Sequence, residues 1–146
     1  MAGSDDVYDA AFRRAGMLRV FELEELFDEV ETLSKAGLPK GDRLTILTNG
    51  GGMGVMATDT LIANGGHLSD IPDAVVKRLD AVLPPTWSRA NPVDIIGDAP
   101  SARYTDALNI LLDHDEQDAL LILNSPTAVA AASDAAAAVV DTLRGR

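Results

Sequence analysis

Apolar positions follow two rhythms along this chain, one helical and one extended. Leu23, Leu26, Phe27, Val30 and Leu33 recur at helical spacing, with Glu22, Glu24, Glu25, Asp28 and Glu31 around them. This predicts an amphipathic helix. Gly37 suits its C′ position and Pro39 blocks continuation. An earlier helix is expected over Val7, Tyr8, Ala11, Phe12 and Ala15, entered at Ser4-Asp5-Asp6 and stopped by Gly16. Met17 to Phe21 fits a short strand. Leu38 to Asp42 reads as a linker, so a boundary is placed there: residues 1–37 form one piece, 38–42 the linker and 43–146 a second piece.

The second piece alternates strand and helix. Arg43 to Thr48 is a β-branched and leucine run. Met53 to Asn64 is helical and apolar on most faces, which predicts burial against a sheet. His67 to Ser69 and Val93 to Ile96 fit short strands. Pro72 opens a helix carried by Val75, Val76, Leu79, Val82 and Leu83, and Pro84-Pro85 breaks it. Ser101 is read as the cap of a helix facing inward through Tyr104, Ala107, Leu108, Leu111 and Leu112. Ala119 to Leu123 carries no charge, which predicts a strand buried on both faces. Pro126 is placed in the first turn of an alanine-rich helix that runs to Arg144. This rhythm predicts an α/β fold with a parallel sheet. The chain stops after a helix where another strand is expected, so the sheet is expected to be cut short at its C-terminus.

Composition narrows the chemistry. Hydrophobic residues are 47% and aromatics 4%, which predicts an aliphatic core. The net charge of −11 argues against nucleic acid and against an anionic membrane surface. With no cysteine, thiol catalysis and disulfides are excluded. His67 and His114 lack metal-site spacing, and no metal is expected in this chain. No apolar run is long enough to span a bilayer and no signal peptide is visible, so the expected location is the cytoplasm.

Two loops stand out. Asn49-Gly50-Gly51-Gly52 joins a strand to a helix. Glycines allow positive φ and close approach, and a helix N-terminus adds about half a positive charge, which together make an anion cradle. Asn124-Ser125-Pro126-Thr127 is a second strand-to-helix loop, whose Ser125 or Thr127 would cap the helix or bind an oxyanion. Two parallel strands put both loops on the carboxyl rim of one sheet, where α/β proteins bind ligands. Both loops have bland readings, as a tight turn and as simple capping. Asp94 fits a ligand-orienting carboxylate or an Asx turn, with the turn favoured. Asp59 interrupts an apolar helix and is expected to be buried and bonded to a neighbouring loop.

Longer motifs carry a resemblance. Ala2 to Gly16 resembles the segment after the phosphohistidine loop of NDP-forming acyl-CoA synthetases. Leu47 to Asp59, Trp87 to Ala99 and Asn124 to Ala128 are similar to the CoA-ligase domain of that family, which is related to succinyl-CoA synthetase. The resemblance implies a flavodoxin-like, three-layer α/β domain. It implies the reaction acid + CoA + ATP ⇌ acyl-CoA + ADP + phosphate, through an acyl phosphate and a phosphohistidine. It further implies that Asn49, Gly50, Gly51, Gly52, Asn124, Ser125 and Thr127 stabilise the phosphoryl group, with Asp94 and Asp59 supporting.

The family's histidine lies in a loop upstream of the match, and neither His67 nor His114 falls on it. The chain therefore resembles the tail of the histidine domain, residues 1–37, followed by an incomplete ligase domain. CoA, ATP or ADP, and Mg are expected in the complete enzyme, and none is expected to be held firmly by this chain alone. The implied partners are a CoA-binding Rossmann domain, the histidine-loop domain and an ATP-grasp domain or subunit. The isolated chain is expected to lack a complete catalytic cycle, and an exposed sheet edge would favour self-association. Two other readings stand beside this one: a non-catalytic module of a fused lysine acetyltransferase, and a flavin-phosphate-binding flavodoxin-like domain, which the scarcity of aromatics disfavours.

Overall fold

The computed structural model describes residues 4–145 and divides the chain into two compact units, Met1–Leu38 and Pro39–Arg146. The first unit holds α1 (Asp5–Arg14) and α2 (Leu23–Ala36). Glu25 caps α2 by accepting the amides of Phe21 at 2.9 Å and Glu22 at 3.3 Å. No residue of either helix is buried within the unit, and the apolar stripe of α2 is exposed. The strand expected over Met17–Phe21 does not form. A strand needs a ladder partner, and the described residues of this unit contain no other extended segment. Arg19 organises the segment instead. It pairs with Asp5 and Asp9 and lies over the ring of Phe21, 4.7 Å from its centroid.

The second unit is built on β1 (Arg43–Thr48), α3 (Gly51–Ala63), β2 (His67–Leu68), α4 (Asp73–Asp80), β3 (Val93–Asp94), α5 (Ser101–Leu112), β4 (Ala119–Leu123) and α6 (Ala132–Arg144). All pairings are parallel. Along one edge β1 pairs with β4, Leu44 opposite Ala119 through Thr48 opposite Leu123. Its other edge is shared: Arg43 and Leu44 pair with His67 and Leu68, while Leu47 and Thr48 pair with Val93 and Asp94. Arg43 fixes the start of the β4 pairing. Its guanidinium and amide donate to the Asp118 carboxylate, and the Asp118 amide returns to its carbonyl at 2.9 Å.

Because strand side chains alternate, the two faces of β1 meet different layers. Leu47 joins Leu79, Trp87, Val93, Ile95, Tyr104, Leu108, Leu111 and Ala135 in one core, formed with α4, α5 and α6. Thr48 faces α3, where a Cβ on Gly54 would come within 3.1 Å of its methyl group. Helices therefore lie on both faces of a parallel sheet: the strand-helix rhythm predicted the parallel sheet, and the family resemblance implied the three-layer α/β arrangement.

Several expectations about this unit need correction. Only Gly54 of α3 is buried, and Met53, Val55, Met56 and Ile62 are exposed within the chain. Asp59 is exposed on α3 rather than buried. Nor is β4 buried on both faces: Leu121 is 37% exposed, and β1 is the only strand paired with β4 among the described residues. The cap also differs at α5, where Pro100 occupies the N-cap and Ser101 is the first helical residue.

Candidate anion-binding rim

The carboxyl ends of β1, β3 and β4 converge at one rim. A Cβ on Gly97, after β3, would lie 3.7 Å from the Asn49 carbonyl and 3.9 Å from the Thr127 methyl group. A Cβ on Gly51 would lie 2.9 Å from Asp94 Oδ2, and one on Gly50 would overlap Ser125 Oγ. The two loops singled out in the sequence thus share one end of the sheet, with the Asp94 turn beside the Asn49 loop on the β3 side.

The glycines serve close approach rather than positive φ. Gly50 has φ −135° and is the N-cap of α3, which begins at Gly51, two residues earlier than the sequence pattern indicates. Gly50 and Gly51 leave room for Ser125 and Asp94. Gly52 is different, since a Cβ there would meet nothing within 4 Å.

The hydrogen bonds separate engaged donors from free ones. Thr48 Oγ1 accepts the Gly50 amide at 3.0 Å and donates to the Gly50 carbonyl at 3.1 Å. Gly54 begins the helical ladder by donating to the Gly50 carbonyl at 3.1 Å. Among the described residues, nothing accepts from the amides of Gly51, Gly52 and Met53. These are the orphan donors of a helix N-terminus, and the helix dipole adds partial positive charge there.

The second loop departs from expectation. Helix α6 starts at Ala132, with Ala131 as N-cap, so residues 124–131 cross the rim without helical structure. Ser125 is drawn to β1 instead. Its amide donates to Asn49 Oδ1 at 2.7 Å, and Asn49 Nδ2 donates to its carbonyl at 3.0 Å. Ser125 Oγ donates to Met53 Sδ at 2.8 Å. Asn124 is also engaged, donating to the Tyr104 hydroxyl at 2.8 Å. Burial, together with the nearby Asp94 charge, pushes the Tyr104 phenol above its ordinary range despite the opposing effect of the Asn124 bond. Thr127 Oγ1 is buried and has no hydrogen-bond partner among the described residues.

Asp94 forms an Asx turn. Its Oδ1 accepts the Ile96 amide at 2.9 Å, and Ile96 has φ 70°. Its own amide donates to Ser88 Oγ at 3.0 Å. Asp59, exposed on α3, is not among the groups in contact at the rim. His67 pairs with Asp42 at 3.1 Å, and His114 contacts the Asp70 carbonyl at 3.3 Å, so the two histidines serve local bonds elsewhere. Tyr104, Met53 and Gly97 belong to the rim but read in sequence as core or loop positions. The polar run beginning at Asn124 was the one available signal, since a buried carboxamide needs a partner. Among the described residues, no group of three or more His, Cys, Asp or Glu side chains is arranged to hold a metal ion, and no helix is long and apolar enough to cross a membrane.

Comparison with known proteins agrees with this architecture. Residues 44–146 match the Ligase-CoA domain family, and residues 1–33 match the succinyl-CoA ligase like flavodoxin domain. The chain is 43% identical over 129 residues to the α subunit of acetate–CoA ligase [ADP-forming] I of Pyrococcus furiosus, covering 88% of this chain and 28% of that subunit. It is 36% identical over 127 residues to 4-hydroxybutyrate–CoA ligase [ADP-forming] of Nitrosopumilus maritimus, covering 87% of this chain and 18% of that protein. Among solved structures, it superposes with TM-score 0.88 and 39% identity on the dinucleotide forming acetyl-coenzyme A synthetase 1 of Ca. Korarchaeum cryptofilum, in complex with phosphate and ADP. That match covers 99% of this chain and 31% of the synthetase chain. The chain thus spans less than a third of these relatives. By fold, by matched domain and by these relatives, the chain belongs to the Ligase-CoA domain family of the NDP-forming acyl-CoA synthetases.

Proposed function

We propose that this chain works as the ligase-domain portion of an ADP-forming acyl-CoA synthetase, in the reaction acid + CoA + ATP ⇌ acyl-CoA + ADP + phosphate. In this reading its rim holds the travelling phosphoryl group while that group is carried on a histidine supplied by another part of the enzyme. One observation carries the proposal: the unengaged amides of Gly51, Gly52 and Met53 at the N-terminus of α3, with open space above Gly52. Fixed backbone dipoles stabilise a dianion without net positive charge, which suits a chain of net charge −11.

Of the wider set expected to stabilise the group, the amides of Gly51 and Gly52 are the direct donors, joined by that of Met53. Gly50 and Ser125 have their amides engaged, and Asn124 is tied to Tyr104. Thr127 and Asp94 border the same space. CoA and the nucleotide with its Mg are assigned to the remaining domains or subunits. Residues 1–37 act as the end of the preceding domain and 43–146 as the ligase domain.

The test is the complete synthetase carrying this chain, assayed for acyl-CoA formation from acetate, CoA and ATP and for acid-labile incorporation of the ATP γ-phosphate. The Gly52→Asp variant sets a carboxylate beside the three amides. It is expected to lose both signals by at least about a hundredfold, the scale seen when an oxyanion donor is removed. Turnover within a few fold of the parent would overturn the assignment.

A further inference from the structure

Asn49 looks like an anion ligand in the sequence, yet both ends of its carboxamide are already committed. Oδ1 accepts the Ser125 amide at 2.7 Å, and Nδ2 donates to the Ser125 carbonyl at 3.0 Å. The residue is only 3% exposed. A side chain this buried, held at both ends by the backbone of a neighbouring loop, is set to fix that loop rather than to meet a phosphoryl oxygen. It does span the two loops. The chain turns from Asn49 directly into the Gly50 cap and the free amides of α3, while Ser125 is the second residue of the irregular stretch 124–131. Ser125 also reaches Met53, the third free amide, through its hydroxyl and the Met53 sulfur at 2.8 Å.

We infer that Asn49 is a positioning residue: its paired bonds to the Ser125 backbone lock the loop after β4 against the three free amides of α3, so that the two loops meet an anion as one rigid rim. This rests on the phosphoryl-binding role proposed above and assigns it a mechanical part. A loop without helical structure has little internal support at its crossing point. Its backbone is fixed by this carboxamide, by the Asn124–Tyr104 bond below it and by the Ser125–Met53 contact. Preorganised donors need no rearrangement when charge arrives, which is the source of their strength. Asn49 therefore acts on the anion through the Ser125 loop and never touches it.

The experiment is a titration of the 15N-labelled chain with inorganic phosphate, followed by amide resonances. In the parent, the Gly51, Gly52 and Met53 amides shift together with those of residues 125 and 127, with one common dissociation constant. In Asn49→Ala, the α3 amides still shift but the responses of Ser125 and Thr127 fall away, and phosphate affinity drops at least about tenfold. Solvent exchange of the Ser125 amide speeds up as well, while the far-UV spectrum is unchanged. If Asn49→Ala does not fold, Asn49→Asp serves, because it keeps the acceptor and loses the donor. Its Ser125 amide stays slow to exchange, and the loop response is weakened relative to that of the α3 amides. A variant that keeps the joint response and the parental ratio between the two loops overturns the inference and leaves the phosphoryl role standing. A parent whose α3 amides ignore phosphate overturns both.

Discussion

The carboxamide of Asn91 stands where a strand is missing beside Ile46. Between β2 and β3 the shared edge of β1 is open, and Asn91 closes it. Its Oδ1 accepts the Ile46 amide at 3.0 Å, and its Nδ2 donates to the carbonyls of Leu44 at 2.8 Å and Ser69 at 3.0 Å. Ladder bonds resume on either side, from Ser69 to the Leu44 carbonyl and from Ile95 to the Thr48 carbonyl. Ile46 is fully buried, so without Asn91 its amide has neither a strand nor water to bond.

Asn91→Ala is therefore expected to destabilise the chain strongly. It leaves a buried donor and weakens the hold on two carbonyls, each unsatisfied group costing about 1–3 kcal/mol. The expected loss is about 2–4 kcal/mol in chemical denaturation. Asn91→Asp keeps the acceptor for Ile46 but sets an ionised oxygen against the Leu44 and Ser69 carbonyls, so it too should be destabilising near neutral pH and less so in acid, where the protonated carboxyl can donate. A loss under about 0.5 kcal/mol for the alanine variant, the range of an ordinary surface change, would show that the gap is closed by something else.

This bridge also marks how far the sequence could be read. The strand-helix order, the central run Arg43–Thr48 and the apolar face of α5 follow from periodicity, because core burial imposes it. Short pieces such as His67–Leu68 and Val93–Asp94 were visible only as fragments. That both lie along one edge of β1, joined by a side chain, leaves no periodic trace. The glycine loop pointed to the rim, but the local string does not say which amides stay free. Thr48 and Asn49 consume those of Gly50 and Ser125 through contacts that only the folded chain defines. The late start of α6 was hidden for the same reason. Pro126 and the alanine run suit a helix locally, whereas the Asn49 tie holds Ser125 to β1 and α6 starts only at Ala132.

Gly52→Asp separates stability from binding. A Cβ at this position meets nothing within 4 Å, so the fold has room for it. Replacing glycine inside a helix relieves a backbone-entropy cost of up to about 1 kcal/mol, and a carboxylate in the first turn favours the helix dipole. Thermal denaturation should show an unchanged or raised midpoint. Phosphate affinity, read by the same amide resonances, should fall at least about tenfold, equivalent to about 1.4 kcal/mol. A variant that is destabilised and still binds phosphate normally would contradict both halves of the prediction.

The link between Arg43 and Asp118 predicts an acid dependence. The side-chain bond from Arg43, then its amide, hold the Asp118 carboxyl below the usual carboxylate range. A carboxylate whose folded value is depressed contributes stability above its unfolded pKa, and that contribution is lost as pH falls through the folded value. Asp118→Asn should thus lower the urea midpoint at pH 7. The gap from the parent should close as pH drops below the ordinary aspartate range. A gap that stays constant from pH 7 to pH 2.5 would assign the effect to packing rather than to charge.

The outer edge of β4 gives the last prediction. On one side β4 is paired to β1 over its whole length, and no strand pairs with its other side among the described residues. Leu121 at the middle of this strand is 37% exposed, and Val140 and Leu143 of α6 are 43% and 48% exposed. An uncharged edge strand with exposed leucine is a template for pairing with another extended chain. The isolated 146-residue chain should therefore self-associate as its concentration rises, while its charge of −11 keeps that association weak at low salt and strengthens it at high salt. Light scattering coupled to size exclusion at two ionic strengths measures this directly. Leu121→Lys places a charge on the strand and should return the chain to a monomer without changing its helical spectrum. An unaltered association in that variant would move the contact away from β4, towards the exposed apolar residues of α2 or α3.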